Sequence, residues 1–195
     1  MKALKAQINP HFVFNCLNSI KYLNHQHQFK ETEIYLDKFS YLLRKTLDYS
    51  GLQKISLEDE LVFSKNYLEL EKLRLGNNMM YEIIVSEDID VKEVLVPPLL
   101  MQPYLENAIK HGIRHLVTRQ GEVRIEIKKY GEKITCLIKD NGTGLLQNIK
   151  PEINTGEVEP PHGLTLQQRR AQLYDVDVKL MNAENGIGTT VILTL

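Results

Sequence analysis

The feature that most constrains this chain is a change of hydrophobic period at Gly76. Before it, apolar residues recur at intervals of three and four: Leu4, Ile8, Phe12, Leu17, Ile20 and Leu23, then Ile34, Leu36, Phe39, Leu42, Leu43 and Leu47. That spacing predicts two helices, the second over residues 32–49 and stopped by Gly51, and a short polar connection makes them an antiparallel hairpin. Ser56 predicts the start of a third helix, whose first turn carries Glu58, Asp59 and Glu60 where acidic side chains favour the helix dipole, and which ends near Gly76. Beyond Gly76 the period falls to two. Strands are predicted at 81–85, 123–127, 134–138, 178–181 and 190–195, the second and third joined in a hairpin through Gly131 and Glu132. Helices are predicted at 98–113 and 164–174. The fold class is therefore α+β: a helical region over 1–76, then a lobe over 77–195 with a mostly antiparallel sheet covered on one face by helices.

Charge narrows the partners. With 24 Lys and Arg against 25 Asp and Glu, the net charge of −1 provides no whole-chain field for nucleic acid or an anionic membrane, so any anion must be gripped locally. Cys16 and Cys136 lie far apart in apolar surroundings, which suggests neither a disulfide framework nor a zinc site and fits a reducing, cytoplasmic setting. The most apolar run, 94–101, is broken by Pro97 and Pro98 and is shorter than the ~18 residues a membrane helix needs. This stretch is expected neither to span a bilayer nor to open with a signal peptide.

Four constellations carry chemistry. The segment 99–112 separates by helical phase into an apolar arc of Met101, Leu105, Ala108, Ile109 and Gly112 and a polar arc of Glu106, Asn107, Lys110 and His111. The polar arc reads either as a solvated surface or as a magnesium–phosphate site, because Mg²⁺ keeps most of its waters and takes one or two protein oxygens beside phosphates. At the end of the strand beginning near Lys133, parity places Asp140 on the same face as Ile134, Cys136 and Ile138. An acid on the core face needs a donor, for which a purine amine is one candidate, and Gly142 and Gly144 would let backbone approach a ligand; the bland alternative is a turn. The stretch 145–162, with Pro151, Pro160 and Pro161, is long enough to be either a lid or an ordinary surface loop, and Gly163 after it opens a helix whose N-terminus suits an anion. Finally, His11 stands in LKAQINPHFVFNCLNSI, over 4–20. A lone helical histidine is most often structural or simply exposed; the functional alternative uses its neutral imidazole as a nucleophile toward phosphorus.

The segments around His11 and Asn107 resemble those of the LytS-like sensor histidine kinases, whose ATP lobe belongs to the GHKL superfamily shared with gyrase and MutL. The likeness runs over almost the whole chain and implies a GHKL (Bergerat-type) α/β sandwich after the helical hairpin. It implies that His11 is the autophosphorylated residue, that Asn107 is the Mg²⁺ ligand, and that Glu106, Lys110 and His111 lie near the phosphates, Glu106 being the candidate base. By the same resemblance Asp140 reads adenine with help from Thr189, Gly142 and Gly144 form the first glycine box, and Gly163 belongs to the second. That second box departs from the family pattern: Thr165 stands for a glycine, Gln168 for an asparagine and Gln172 for an arginine. A β-branched residue hinders both close approach and positive φ, so weak nucleotide binding is expected.

The resemblance implies a cytoplasmic fragment of a longer, membrane-anchored two-component kinase, homodimeric, that binds Mg-ATP and passes a phosphoryl group from His11 to an aspartate on a response regulator, by family habit of LytTR type. The alternative is a non-catalytic nucleotide-binding regulator acting as a dimeric scaffold.

Overall fold

The computed structural model describes residues 10–114, 116–144, 171–183 and 187–195, with side chains from Phe12 onward. Helix α1 (Pro10–His25) and helix α2 (Phe29–Tyr49) turn back on each other through Gln26, His27 and Gln28, with His27 at φ 55°. The apolar residues of the two helices meet in the core, where Cys16, Leu23, Tyr35, Phe39 and Leu42 are buried. Strand β1 (Ile55–Ser56) leads into helix α3 (Leu57–Leu75). The Ser56 side chain accepts a hydrogen bond from the Asp59 amide at 3.1 Å, and Gly76, at φ 62°, ends the helix, as the sequence predicts.

Helix α3 touches both parts of the molecule. Toward the hairpin, Lys38 pairs with Glu69 and the Phe12 and Tyr67 rings lie 6.0 Å apart. Toward the lobe, the Tyr81 hydroxyl donates to Glu69 at 3.1 Å, and the Leu57 amide donates to the Val94 carbonyl at 2.8 Å.

The main sheet runs in the order β2 (Met79–Val85), β4 (Gly121–Tyr130), β5 (Lys133–Asp140), β7 (Thr189–Thr194) and β6 (Asp177–Asn182). All neighbours are antiparallel except β2 and β4, in register from Met79 opposite Gly121 to Val85 opposite Ile127. Alternation then works as expected: Val123, Ile125, Ile127, Cys136, Ile138, Val191 and Leu193 face the core. On the opposite face Glu126 is the hub of ion pairs with Arg124, Lys128 and Lys139, and hydrogen bonds from Lys128 and Lys139 pull its carboxyl down to about 2.

The helix expected over 98–113 needs correcting. Helical hydrogen bonding starts only with α4 (Gln102–Asn107), after β3 (Leu95–Val96) pairs with β1 and the chain passes Pro97 and Pro98 in irregular form, with Leu99 at φ 56°. The residue before a proline is pushed out of helical geometry, and two prolines in a row remove two donors. From Ala108 to Ile113 the helix widens into a π segment, in which the Arg114 amide bonds to the Ile109 carbonyl at 2.9 Å, five residues back. Of the helix predicted at 164–174, only its last residues are described: Ala171 and Gln172 are helical, and the chain then turns over 173–175, with Asp175 at φ 60°, into β6.

Replacing Ser56 by Ala should remove the α3 cap and cost about 1 kcal/mol in urea unfolding, without changing the dependence on denaturant concentration.

Candidate functional site

Three strand and helix ends converge on Asp140. It is the last residue of β5, and its side chain points to the core face, as strand parity predicts, with 8% of its surface exposed. Burial pushes the carboxyl up to about 6, against the hydrogen bonds that hold the charged form: the Gly142 amide donates to Oδ1 at 2.8 Å, and Thr189 offers its amide and hydroxyl.

Glycines make room for this arrangement. A Cβ on Gly112 would stand 2.8 Å from Asp140 Oδ1, and a Cβ on Gly142 would drive into the Gly112 backbone as well as the same oxygen. Gly188, at φ 91°, leaves no room for a side chain against the Asp140 carbonyl, and Gly144 turns the chain at φ 78° beside Gly188 and Asn182. The π segment and the turn after β5 are further tied by a hydrogen bond from the Thr143 hydroxyl to the His111 carbonyl at 3.1 Å. Asp140, Gly142, Gly144 and Thr189 are therefore one cluster, and His111 joins it through its backbone.

The polar arc of α4 and the π segment emerges where helical phase puts it. Lys110 and His111 are exposed, Glu106 and Asn107 are half-buried, and Leu105, Ala108, Ile109 and Gly112 are buried beneath them. Glu106 accepts a hydrogen bond from Gln102 at 2.8 Å, and its charge acts on Tyr67 and Glu71 of α3. Among the described residues no group of three or more His, Cys, Asp and Glu side chains could hold a metal by itself, so a cation here would rest on few protein oxygens and on its ligand's own. His11 is the second residue of α1; its side chain, Gly163, Thr165, Gln168 and the stretch 145–162 lie outside the described residues. Gln172 is exposed.

Sequence reasoning placed Gly112 only on the apolar arc, without its contact to Asp140, and gave no role to Thr143 or to Arg119, whose guanidinium bonds the carbonyls after Asp140. A glycine within an amphipathic helix is a sign of close backbone approach and was the one available clue to Gly112.

Comparison with known proteins bears on the whole chain. Residues 1–79 match the family model described as Histidine kinase. The sensor protein LytS of Staphylococcus haemolyticus is 32% identical over 198 residues, which are 98% of this chain and 33% of that protein. The sensor histidine kinase YesM of Bacillus subtilis is 31% identical over 145 residues, 74% of this chain and 24% of that protein. Over almost its whole length the chain is similar to the LytS-like sensor histidine kinases. It spans a third or less of the length of these two relatives. Histidine kinase ThkA, in its complex with response regulator protein TrrA, shares the fold with a TM-score of 0.51 at 12% identity, over 97% of this chain and 61% of that one. The α+β architecture of the LytS-like chain is thus that of histidine kinase catalytic domains.

Asp140 gives the site a pH signature. Its folded-state value of about 6 lies above the ordinary 3.8, so the folded protein takes up this proton before the unfolded chain does. Through this group stability rises as pH falls from about 6 to about 4, and the charged form is a cost above pH 6. Asp140→Asn should therefore be more stable than the parent at pH 7.5, by about 2 kcal/mol, with the difference shrinking toward pH 4 in chemical denaturation.

Proposed function

We propose that the chain binds Mg-ATP in the lobe and phosphorylates His11, from which a response-regulator aspartate takes the phosphoryl group. The observation that carries this reading is a buried, two-sided acceptor at Asp140, approached closely by the backbone of Gly112, Gly142 and Gly188. A carboxylate so placed suits the exocyclic amine of adenine, with the Thr189 hydroxyl beside it.

In this reading Asn107 would ligate Mg²⁺, and Lys110, His111, Gly142, Gly144 and Gly163 would surround the phosphates. Mg²⁺, when bound, supplies neutralisation of phosphate charge. The neutral imidazole of His11 attacks the γ-phosphorus: a P–N bond forms, the bond to the β–γ bridging oxygen breaks, and ADP leaves. Glu106 is the proposed acceptor of the imidazole proton. Most of the acceleration in such transfers comes from positioning and charge, which places the demand on the lobe's geometry.

We assign residues 1–76 to the phosphoacceptor and dimer-forming part, and residues 77–195 to nucleotide binding. Phe14, Leu17, Ile34, Leu36 and Leu47 are each at least 39% exposed on α1 and α2, an apolar surface suited to a second copy. Membrane anchoring is proposed for a longer protein by likeness to the family; among the described residues no helix is long and apolar enough to cross a membrane. A response regulator of LytTR type is the proposed partner. The replacements at Thr165, Gln168 and Gln172 favour a second reading, a nucleotide-binding scaffold without turnover.

Calorimetry should show ADP binding that Asp140→Asn weakens about tenfold, the loss of a charged hydrogen-bond acceptor. Unchanged affinity would remove Asp140 from the adenine site. With γ-labelled ATP, an acid-labile, base-stable label should appear and vanish in His11→Gln. ADP binding without any label supports the scaffold.

A further inference from the structure

The turn that follows Asp140 has one bond of its own, from the Gly142 amide to the Asp140 carboxylate. Its other peptide groups are gripped from outside by residues 119–122, the end of the connection after the π segment and the start of β4, beginning with Arg119. One nitrogen, Nη2, donates to the Asn141 carbonyl at 2.6 Å and to the Gly142 carbonyl at 3.0 Å. The same segment takes the Asn141 side chain: the Glu122 amide donates to its Oδ1 at 2.7 Å, and its Nδ2 donates to the Gln120 carbonyl at 3.0 Å. The Asn141 amide completes the tie with a bond to the Glu122 carbonyl at 3.2 Å.

What these bonds fix is the direction of one N–H. The Gly142 amide orients the Asp140 carboxylate at 2.8 Å, while the Gly142 carbon sits against the Gly112 backbone. Gly142 is free to rotate about φ and ψ more than any other residue type, so its placement must come from its neighbours. Arg119 bonds the Asn141 and Gly142 carbonyls, so its influence reaches the carboxylate through backbone position. The side chain is exposed, outside the core, and its removal leaves every buried apolar contact intact.

We infer that Arg119 is a positioning residue for base selectivity: by clamping the Asn141 and Gly142 carbonyls it holds the Gly142 amide on Asp140, and so keeps the carboxylate aimed to accept from a purine 6-amino group and to reject a 6-oxo group. This rests on the adenine-site reading above. An acceptor discriminates between amine and carbonyl only while its direction is fixed, because a carboxylate free to turn can leave the carbonyl facing water or another donor. Arg119 contributes direction; Asp140 contributes the chemistry.

The test uses the whole chain with ADP and GDP as probes, measured by calorimetry at pH 7.5. The parent should prefer ADP. Arg119→Ala should weaken ADP about fivefold, as expected for a lost charge-assisted hydrogen bond, leave GDP unchanged, and reduce the ADP-over-GDP ratio by that same factor. Arg119→Lys, which keeps one donor and the charge, should recover part of the ratio. Thermal melting without nucleotide should match the parent in both variants, which separates positioning from stability. Equal losses for ADP and GDP, or an unchanged ratio, would overturn the inference while leaving the adenine site standing. Failure of the parent to bind ADP would overturn both.

Discussion

A carboxylate with no exposed surface, Glu60, ties helix α3 to the segment that carries the site. It accepts the Leu99 and Met101 amides, each at 2.8 Å, across 39 and 41 residues of sequence. Those amides belong to a stretch that two prolines and a left-handed Leu99 keep out of regular structure, so without Glu60 they would be buried donors lacking a partner. Because Met101 directly precedes α4, the same two bonds set where α4 begins and hence which way Asn107 and Lys110 face. The little sheet of β1 and β3 lies beside this joint and links it back to the start of α3.

The recess around Asp140 is built by subtraction. Gly112, Gly142 and Gly188 come from three different parts of the chain, and at each one a single methyl group would meet backbone or the carboxylate. Such an arrangement gives up side-chain packing and backbone rigidity to leave a polar oxygen in a dry place. Burial raises the affinity of Asp140 for its proton, so the group is less stable as an ion here than in water.

Much of this was legible before any coordinates. Asp140 declared its face through the alternation of Ile134, Cys136 and Ile138, and the division of α4 and the π segment into buried and polar sides followed from spacing alone, because both are local periodicities. Ser56 and Gly76 announced the ends of α3 by cap chemistry. Glu60 looked like a first-turn acid favouring the dipole, and its bonds to amides some 40 residues away had no local signature. Arg119 was equally silent, since its partners are backbone carbonyls 22 and 23 residues distant. The two-residue strands β1 and β3 are too short to show a period, and the early start predicted for α4 extended an apolar pattern across prolines that forbid it.

The π segment places a mechanical mismatch at a chosen spot. On its N-terminal side the helix is phased by Tyr104 and Leu105, which are buried in the core; on its C-terminal side Ile113 must lie over Gly121 at the start of β4. Between these two anchors the winding widens from 3.6 residues per turn into one π turn. That turn contains Lys110 and His111. The part of the helix whose hydrogen bonds depart from the α-helical ladder is therefore the part bearing the exposed cation and imidazole.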